Sequence, residues 1–272
     1  ARTDPASLGP MSLGRASAGS LVNGVRMPES PLWILIDPAH AWGTQETVDA
    51  LAASIDVVAG AFPDTPKIQI GHISKKGGGH LSPHLSHQSG RDVDVGYYYL
   101  AGETRWFARA TEKNLDKPRS WALVRALVTR SDVELVLVDS TVQKMLKTYA
   151  LSVGEDPSWL DEVIQYGSTK PRAIVRHAKG HGTHLHVRFF STRAQEIGRR
   201  AHPALAKAGL VTAPASVDYI EHKARSGDTL DSLARRYGTT VQAIQQANGL
   251  RGTAIKMKHK YRIPKKATPR SR

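Results

Sequence analysis

The chain has no cysteine. That excludes disulfides, thiolate metal ligands and a cysteine nucleophile, and it leaves the compartment open, because exported proteins also occur without cysteine. No run of 18 or more apolar residues is present, so no segment is long enough to span a bilayer as a helix. The longest apolar stretches, residues 32–36 and 135–138, have the length of buried strands. Acidic residues are missing from the last segment, 251–272, which holds nine Lys or Arg and no Asp or Glu. Tyr261 is the one aromatic there, so a base-stacking surface for nucleic acid is not indicated. Position 1 is Ala, and no positively charged stretch with an apolar follow-on is present. The expectation is a mature form after signal removal, periplasmic or secreted, or else a trimmed chain.

What is present bounds the fold. The chain has 272 residues, 40% of them hydrophobic, enough for a core and more than one domain. Its net charge of +14 favours a polyanionic partner, with bacterial wall polymer, an anionic membrane surface or nucleic acid as the classes. Residues 1–30, rich in Ser, Gly, Ala and Pro, read as an irregular arm. Thr44 caps an amphipathic helix that carries Val48, Leu51, Ile55 and Val58 and stops at Pro63. Strands are expected near 67–73, 93–97, 134–139 (as a central strand) and 183–190, with helices near 121–129 and 141–149. Strands and helices intermix without a βαβ period, which predicts an α+β class. Residues 212–219 read as a linker, followed by a unit at 220–265 and a basic tail at 266–272.

Eight of the twelve histidines fall in two clusters. One holds His72, His80, His84 and His87, the other His177, His181, His184 and His186. Two such groups in polar, Gly-rich surroundings are poorly explained by core packing and point to metal or acid–base chemistry. In H-L-S-H-Q-S-G-R-D-V-D-V, a turn at Gly90 folds His87 back on Asp94. Asp92 shares that strand face and either approaches the metal or marks the start of the strand. In His184-Leu185-His186 both imidazoles face one site; one ligates and the other stays free. Imidazole and carboxylate donors suit zinc, and three protein ligands leave the open position of a catalytic site, where water falls in pKa to about 7. Asp139 either reaches this site or caps the helix behind it. Asp116, Arg91 and Trp121 read as structural, while His72 and His177 line the cleft or pack normally.

The blocks G-G-G-H-L-S-P-H-L-S-H-Q-S-G-R-D-V-D-V and H-G-T-H-L-H-V-R resemble the penicillin-insensitive murein endopeptidases, within the lysostaphin-like and D-Ala-D-Ala metallopeptidases. The likeness extends more weakly over residues 12–190, including A-W-G-T from Ala41 and S-W-A-L-V-R-A-L from Ser120. The resemblance implies an antiparallel-sheet metallopeptidase core with flanking helices and long loops over 31–211. It implies Zn2+ on His87, Asp94 and His186, with His184 as the catalytic histidine. His181 and His84 become substrate or transition-state contacts, or ligands of an extra metal. It further implies cleavage of D-alanyl to meso-diaminopimelyl cross-links in peptidoglycan. Better-known members carry cysteines that this chain lacks.

Residues 222–264 read as a small βααβ unit. Thr229 or Asp228 caps a helix with Leu230, Leu233, Ala234 and Tyr237 on one face, and Gly238 ends it; Thr240 caps a second helix. S-G-D-T-L, Y-G, A-N-G-L and the final I-P resemble a LysM domain, which implies binding of N-acetylglucosamine-containing glycan. The groove implied lies between Gly227, Asp228, Thr229 and Leu230 on one side and Asn248, Gly249 and Leu250 on the other. Lys258 stands where the family usually has Gly. The basic tail adds attraction to anionic wall polymer, weakened by salt. The reading is a zinc murein endopeptidase held on its substrate. The alternatives are a D,D-carboxypeptidase of the same fold, a non-catalytic zinc-containing wall-binding protein and, from charge alone, a nucleic-acid binder that no motif supports.

Overall fold

A computed structural model describes residues 5–100, 106–170, 173–211, 219–248, 250, 252–257 and 259–264. The chain divides into two units, Ala1–Val211 and Thr212–Arg272. In chain order, the first contains β1 (Met11–Arg15), β2 (Ala18–Val22), β3 (Val25–Arg26), β4 (Trp33–Leu35), β5 (Trp42–Gly43), α1 (Gln45–Ala61), β6 (Ile68–Ile70), β7 (Asp92–Gly96), α2 (Lys117–Arg130), β8 (Val133–Val138), α3 (Ser140–Ser152), α4 (Pro157–Val163), β9 (Val175–His177), β10 (His184–Phe189) and α5 (Thr192–Lys207). The second contains β11 (Tyr219–Lys223), α6 (Leu230–Tyr237), α7 (Val241–Asn248) and β12 (Lys260–Pro264). The class is α+β. No helix among the described residues is long and apolar enough to cross a membrane.

Six strands form one sheet in the order β4-β6-β7-β10-β8-β9. Its four inner strands are antiparallel, and only the outer pairs, β4 with β6 and β8 with β9, run parallel. Residues 134–139 thus lie in and just after β8, one strand in from the edge; β7 and β10 hold the centre. The two central strands show why one sheet face is dry and the other reactive. Their register sets Val93 against Val187 and Val95 against Leu185, all fully buried in the main core. The alternate pairs, Asp92 with Arg188 and Asp94 with His186, share the opposite face. Helix α1 begins as expected, with the Thr44 hydroxyl accepting from Thr47 N–H, and ends before Pro63. Asp116 caps α2, and its carboxylate pairs with Arg119 at 2.7 Å.

The N-terminal segment is not an irregular arm. β1 and β2 form a five-pair antiparallel hairpin, and Met11 and Leu13 pack with Leu205 of α5 and Val211. Small residues hid the strands because they carry little hydrophobic alternation. The hairpin also braces the first histidine loop. Ser12 Oγ donates to the Ser89 carbonyl at 2.9 Å, Gln88 N–H donates to the Ala16 carbonyl, and Leu21 N–H to that of Gly77. The unit that carries the site therefore reaches back well before residue 31.

In the second unit, Thr229 caps α6 in a reciprocal box with Ser232, and Thr240 Oγ1 accepts from Ala243 N–H at the start of α7. β11 and β12 pair antiparallel around a core of Leu230, Leu233, Ile244, Tyr261 and Ile263. Residues 212–218, Gly249, Lys258 and the tail 266–272 lie outside the described residues.

Candidate functional site

The register of β7 and β10 puts His186 directly across from Asp94. His87 arrives from the preceding loop, which turns at Gly90 with φ 71°; a Cβ there would stand 2.8 Å from Leu21 Cδ1, so any side chain at this turn is strained. His87 itself holds φ 63°, a left-handed conformation that costs energy for a side-chain-bearing residue. Asp92 Oδ2 secures it by accepting His87 N–H at 3.1 Å.

Outer hydrogen bonds orient both imidazoles and fix the tautomer of His87. His87 Nδ1–H donates to the Ile73 carbonyl at 3.0 Å, which leaves Nε2 bare. His186 sits between two carboxylates, with Nε2 3.2 Å from Asp92 Oδ1 and Nδ1 3.0 Å from Asp94 Oδ1; a cation taken up on Nδ1 would leave Nε2–H donating to Asp92. Asp92 is in turn held by Arg188 Nε at 2.6 Å. His87 Nε2 and His186 Nδ1 stand 3.1 Å apart, and Asp94 Oδ1 lies 3.0 Å from His186 Nδ1 and 3.2 Å from His87 Nε2. Three lone pairs at such distances repel unless a proton or a cation lies among them. Burial opposes charge on His186, but hydrogen bonds to Asp92 and Asp94 outweigh it and raise its pKa to about 9. Burial likewise opposes the Asp94 carboxylate, yet the hydrogen bond with His186 and the imidazoles beside it hold its pKa well below the usual range. The site thus attracts positive charge.

The donor set also has the spacing of a metal site. Ligand atoms 2.0–2.1 Å from a tetrahedral zinc stand roughly 3.3 Å from one another, close to the distances found. The carboxylate behind His186 and the carbonyl behind His87 are the outer partners that metal-binding imidazoles use. His84, His87 and Asp94 also each offer a ligand atom within 4.8 Å of the others, with His84 Nδ1 at 3.6 Å from Asp94 Oδ2.

The remaining histidines sort by position. Rings touch in a continuous series from His40 through His72, His84, His87, His186 and His181 to His184. His184 Nε2 is 3.8 Å from Asp94 Oδ1, and its Nδ1 meets Thr183 Oγ1 at 2.9 Å. Burial lowers the pKa of His184 to about 4 and that of His181 below its ordinary value, so both are neutral at pH 7. The buried Tyr97 hydroxyl donates to the His181 carbonyl at 2.8 Å and fixes that loop. His80 is exposed and outside the series. His177 is also outside it: its Nδ1 accepts Ser140 N–H at the start of α3. Asp139 caps α3 by accepting Thr141 N–H at 2.9 Å. Arg91 is buried against Glu134 at 3.4 Å.

The chain belongs to the penicillin-insensitive murein endopeptidase family. The family profile matches residues 12–212, and a LysM domain profile matches residues 222–264. The chain is also similar to the LysM and putative peptidoglycan-binding domain-containing protein 2 of Danio rerio, 33% identical over 82 residues. That stretch covers 30% of this chain and 39% of the relative, so the chain spans well under half of it.

Sequence reading missed two aromatics in this endopeptidase unit. Trp106 lies against Gly71 and Gly96, where a Cβ on Gly71 would stand 2.5 Å from the indole. Phe107, at φ 64° and 52% exposed, sets its ring edge-on to His184, 5.1 Å between centroids. A strained, exposed aromatic beside the histidines forms one wall of the site. Its only sequence signal was an unexplained W-F pair in a loop. Asp37 was missed as well; it reaches the series through His40 and His72.

In the LysM unit the expected groove residues are largely committed to the fold. Asp228 accepts Arg225 N–H and meets His222 Nε2, both at 2.8 Å, while His222 Nδ1 meets the Tyr237 hydroxyl. Leu230 is buried, and Leu250 packs against the core. Asn248 donates to the Ile244 and Arg262 carbonyls and accepts Arg262 N–H. Thr229 is engaged at the cap and Gly227 has φ 84°.

Proposed function

We propose that the first unit is a zinc-dependent peptidoglycan endopeptidase, with zinc on His87, Asp94 and His186 and with His84 as a further donor or transition-state contact. The observation that carries this is the convergence of His87 Nε2, His186 Nδ1 and Asp94 Oδ1 at 3.0–3.2 Å from one another, with the far nitrogen of each imidazole held by the Ile73 carbonyl and the Asp92 carboxylate. When bound, zinc supplies Lewis acidity that lowers the pKa of water from 15.7 toward about 7 and polarises a carbonyl.

The chain's own residues do the rest. His184, kept neutral by burial, takes the proton of the water that adds to the scissile carbonyl carbon. The same histidine returns a proton to the departing amine, so the peptide bond breaks with one water consumed. His181 is neutral too and stands 4.9 Å from the His184 ring, placed to donate to the carbonyl oxygen as it gains charge. Trp106 and Phe107 set their rings beside His184 and wall the site on one side.

The substrate in this reading is the D-alanyl to meso-diaminopimelyl cross-link, and the working location is outside the cytoplasm. The LysM unit holds peptidoglycan glycan through the backbone of the 227–230 segment and of Asn248 and Leu250, because Asp228, Leu230, Asn248 and Leu250 spend their side chains on the fold. The basic tail adds attraction to anionic wall polymer. The test is His186→Ala, assayed by chromatography of muropeptides released from purified peptidoglycan, with circular dichroism as the folding control. Turnover should vanish while the fold persists; unchanged turnover in a folded variant overturns the assignment.

A further inference from the structure

We propose that Asp37 and His72 are positioning residues that set the tautomer of His84 and turn its bare Nδ1 into the metal site. The inference rests on the zinc reading above. It starts from a side-chain series that leads away from the site to the surface: His84 Nε2 meets His72 Nδ1 at 2.7 Å, and His72 Nε2 meets Asp37 Oδ2 at 3.2 Å.

The direction of these bonds follows from their outer end. Asp37 is a carboxylate that only accepts, held below its ordinary pKa chiefly by its hydrogen bond with His40, whose Nδ1 is 2.7 Å from Oδ2. Its other oxygen accepts Ala39 N–H at 3.1 Å, which fixes the group at the head of a short 3-10 helix. His72 must therefore donate from Nε2. A neutral imidazole carries one N–H, so His72 Nδ1 is an acceptor. His84 must then donate from Nε2, and its Nδ1 is left bare. That nitrogen is the one 3.6 Å from Asp94 Oδ2.

A bare nitrogen facing a carboxylate oxygen is unfavourable in an empty site and favourable beside a cation. The logic is the one seen at His87, with its Ile73 carbonyl, and at His186, with Asp92. Among the described residues, His84 Nε2 meets no carbonyl or carboxylate directly and reaches one through His72. The backbone holds this path rigid. The His40 carbonyl accepts from Ile73 N–H and Ser74 N–H, and the His72 carbonyl accepts Asp94 N–H at 3.0 Å. Losing an outer partner of a metal-site imidazole typically lowers metal affinity about 10–100-fold.

The test is a double-mutant cycle on the full chain, reading zinc dissociation constants by chelator competition. Asp37→Ala should weaken zinc about 10-fold or more, and Asp37→Asn, which keeps an acceptor oxygen, should recover most of that. In a His84→Ala background Asp37→Ala should add nothing, because it acts through His84. An undiminished effect there, or no effect of Asp37→Ala alone, overturns the proposal. The second readout needs no variant: long-range 15N NMR of the zinc-loaded wild type should show both His72 and His84 with the proton on Nε2, and a proton on His84 Nδ1 overturns it. Failure of the wild type to bind zinc at all would sink the metal reading itself and is seen before any Asp37 variant is made.

Discussion

Replacing Asp92 by Asn isolates the outer hydrogen bonds of the proposed metal site from its donors. Asp92 is fully buried and serves three groups: His186 Nε2 and Arg188 Nε on Oδ1, and His87 N–H on Oδ2. The amide keeps the volume but offers one acceptor oxygen, so whichever way it turns, its NH2 faces a donor. If the NH2 faces His186, the tautomer that bares Nδ1 is lost; if it faces His87 N–H, the strained φ 63° turn loses its anchor. Loss of an outer partner predicts zinc affinity lower by about 10–100-fold, or roughly 1.4–2.8 kcal/mol. The charge-assisted bond to Arg188 is weakened or lost as well, which costs about 1.5–3 kcal/mol of folding stability. Zinc competition with a chromophoric chelator reads the first quantity, and urea unfolding of metal-free protein reads the second. A folded variant whose zinc affinity stays within about twofold of wild type would refute the role given to Asp92.

Three further outcomes rest on the same geometry. His184→Ala should lower kcat/KM about 10²–10⁴-fold, the usual weight of a general acid–base group, with zinc affinity nearly unchanged; zinc loss matching that of His186→Ala would make His184 a ligand instead. Leu185→Ala, at a fully buried position of the central strand, should cost about 2–5 kcal/mol in urea unfolding, and a cost under about 1 kcal/mol would contradict its place in the core. In the LysM unit the Asp228 pKa is lowered, first by Arg225 N–H and then by His222. Its contribution is therefore present above the ordinary carboxylate pKa and lost as pH falls through the lower folded value. The thermal transition of that unit in the full chain should drop on acidification below about pH 4, and Asp228→Asn should remove that part of the pH dependence; an unchanged profile in the variant would count against it.

Much of this was legible in the sequence where one residue type carries one meaning. Thr44 and Thr229 announced helix starts, and alternation around Val93, Val95, Leu185 and Val187 announced strands with one dry face. Spacing alone brought His184 and His186 to one face, and the Gly90 turn brought His87 toward Asp94. What stayed hidden depends on contacts distant in sequence. The hairpin of residues 11–22 is written largely in Gly, Ala and Ser, whose strand signal is weak, and it is held by the loop at 77–89 and by α5. The Asp37 series needs Asp37, His72 and His84 to meet from separate stretches of the chain, and no local pattern encodes that. The inward turn of Asp228 and Asn248 was equally invisible, since a polar residue in a loop reads as free until its partners are placed.

The most direct measurement is hydrolysis of a purified cross-linked muropeptide dimer by metal-depleted protein, before and after zinc is restored. The account predicts no cleavage without metal and conversion of dimer to monomers with it. Full activity after verified metal removal would contradict it, as would a zinc-loaded, folded protein that leaves the dimer intact and trims only free pentapeptide.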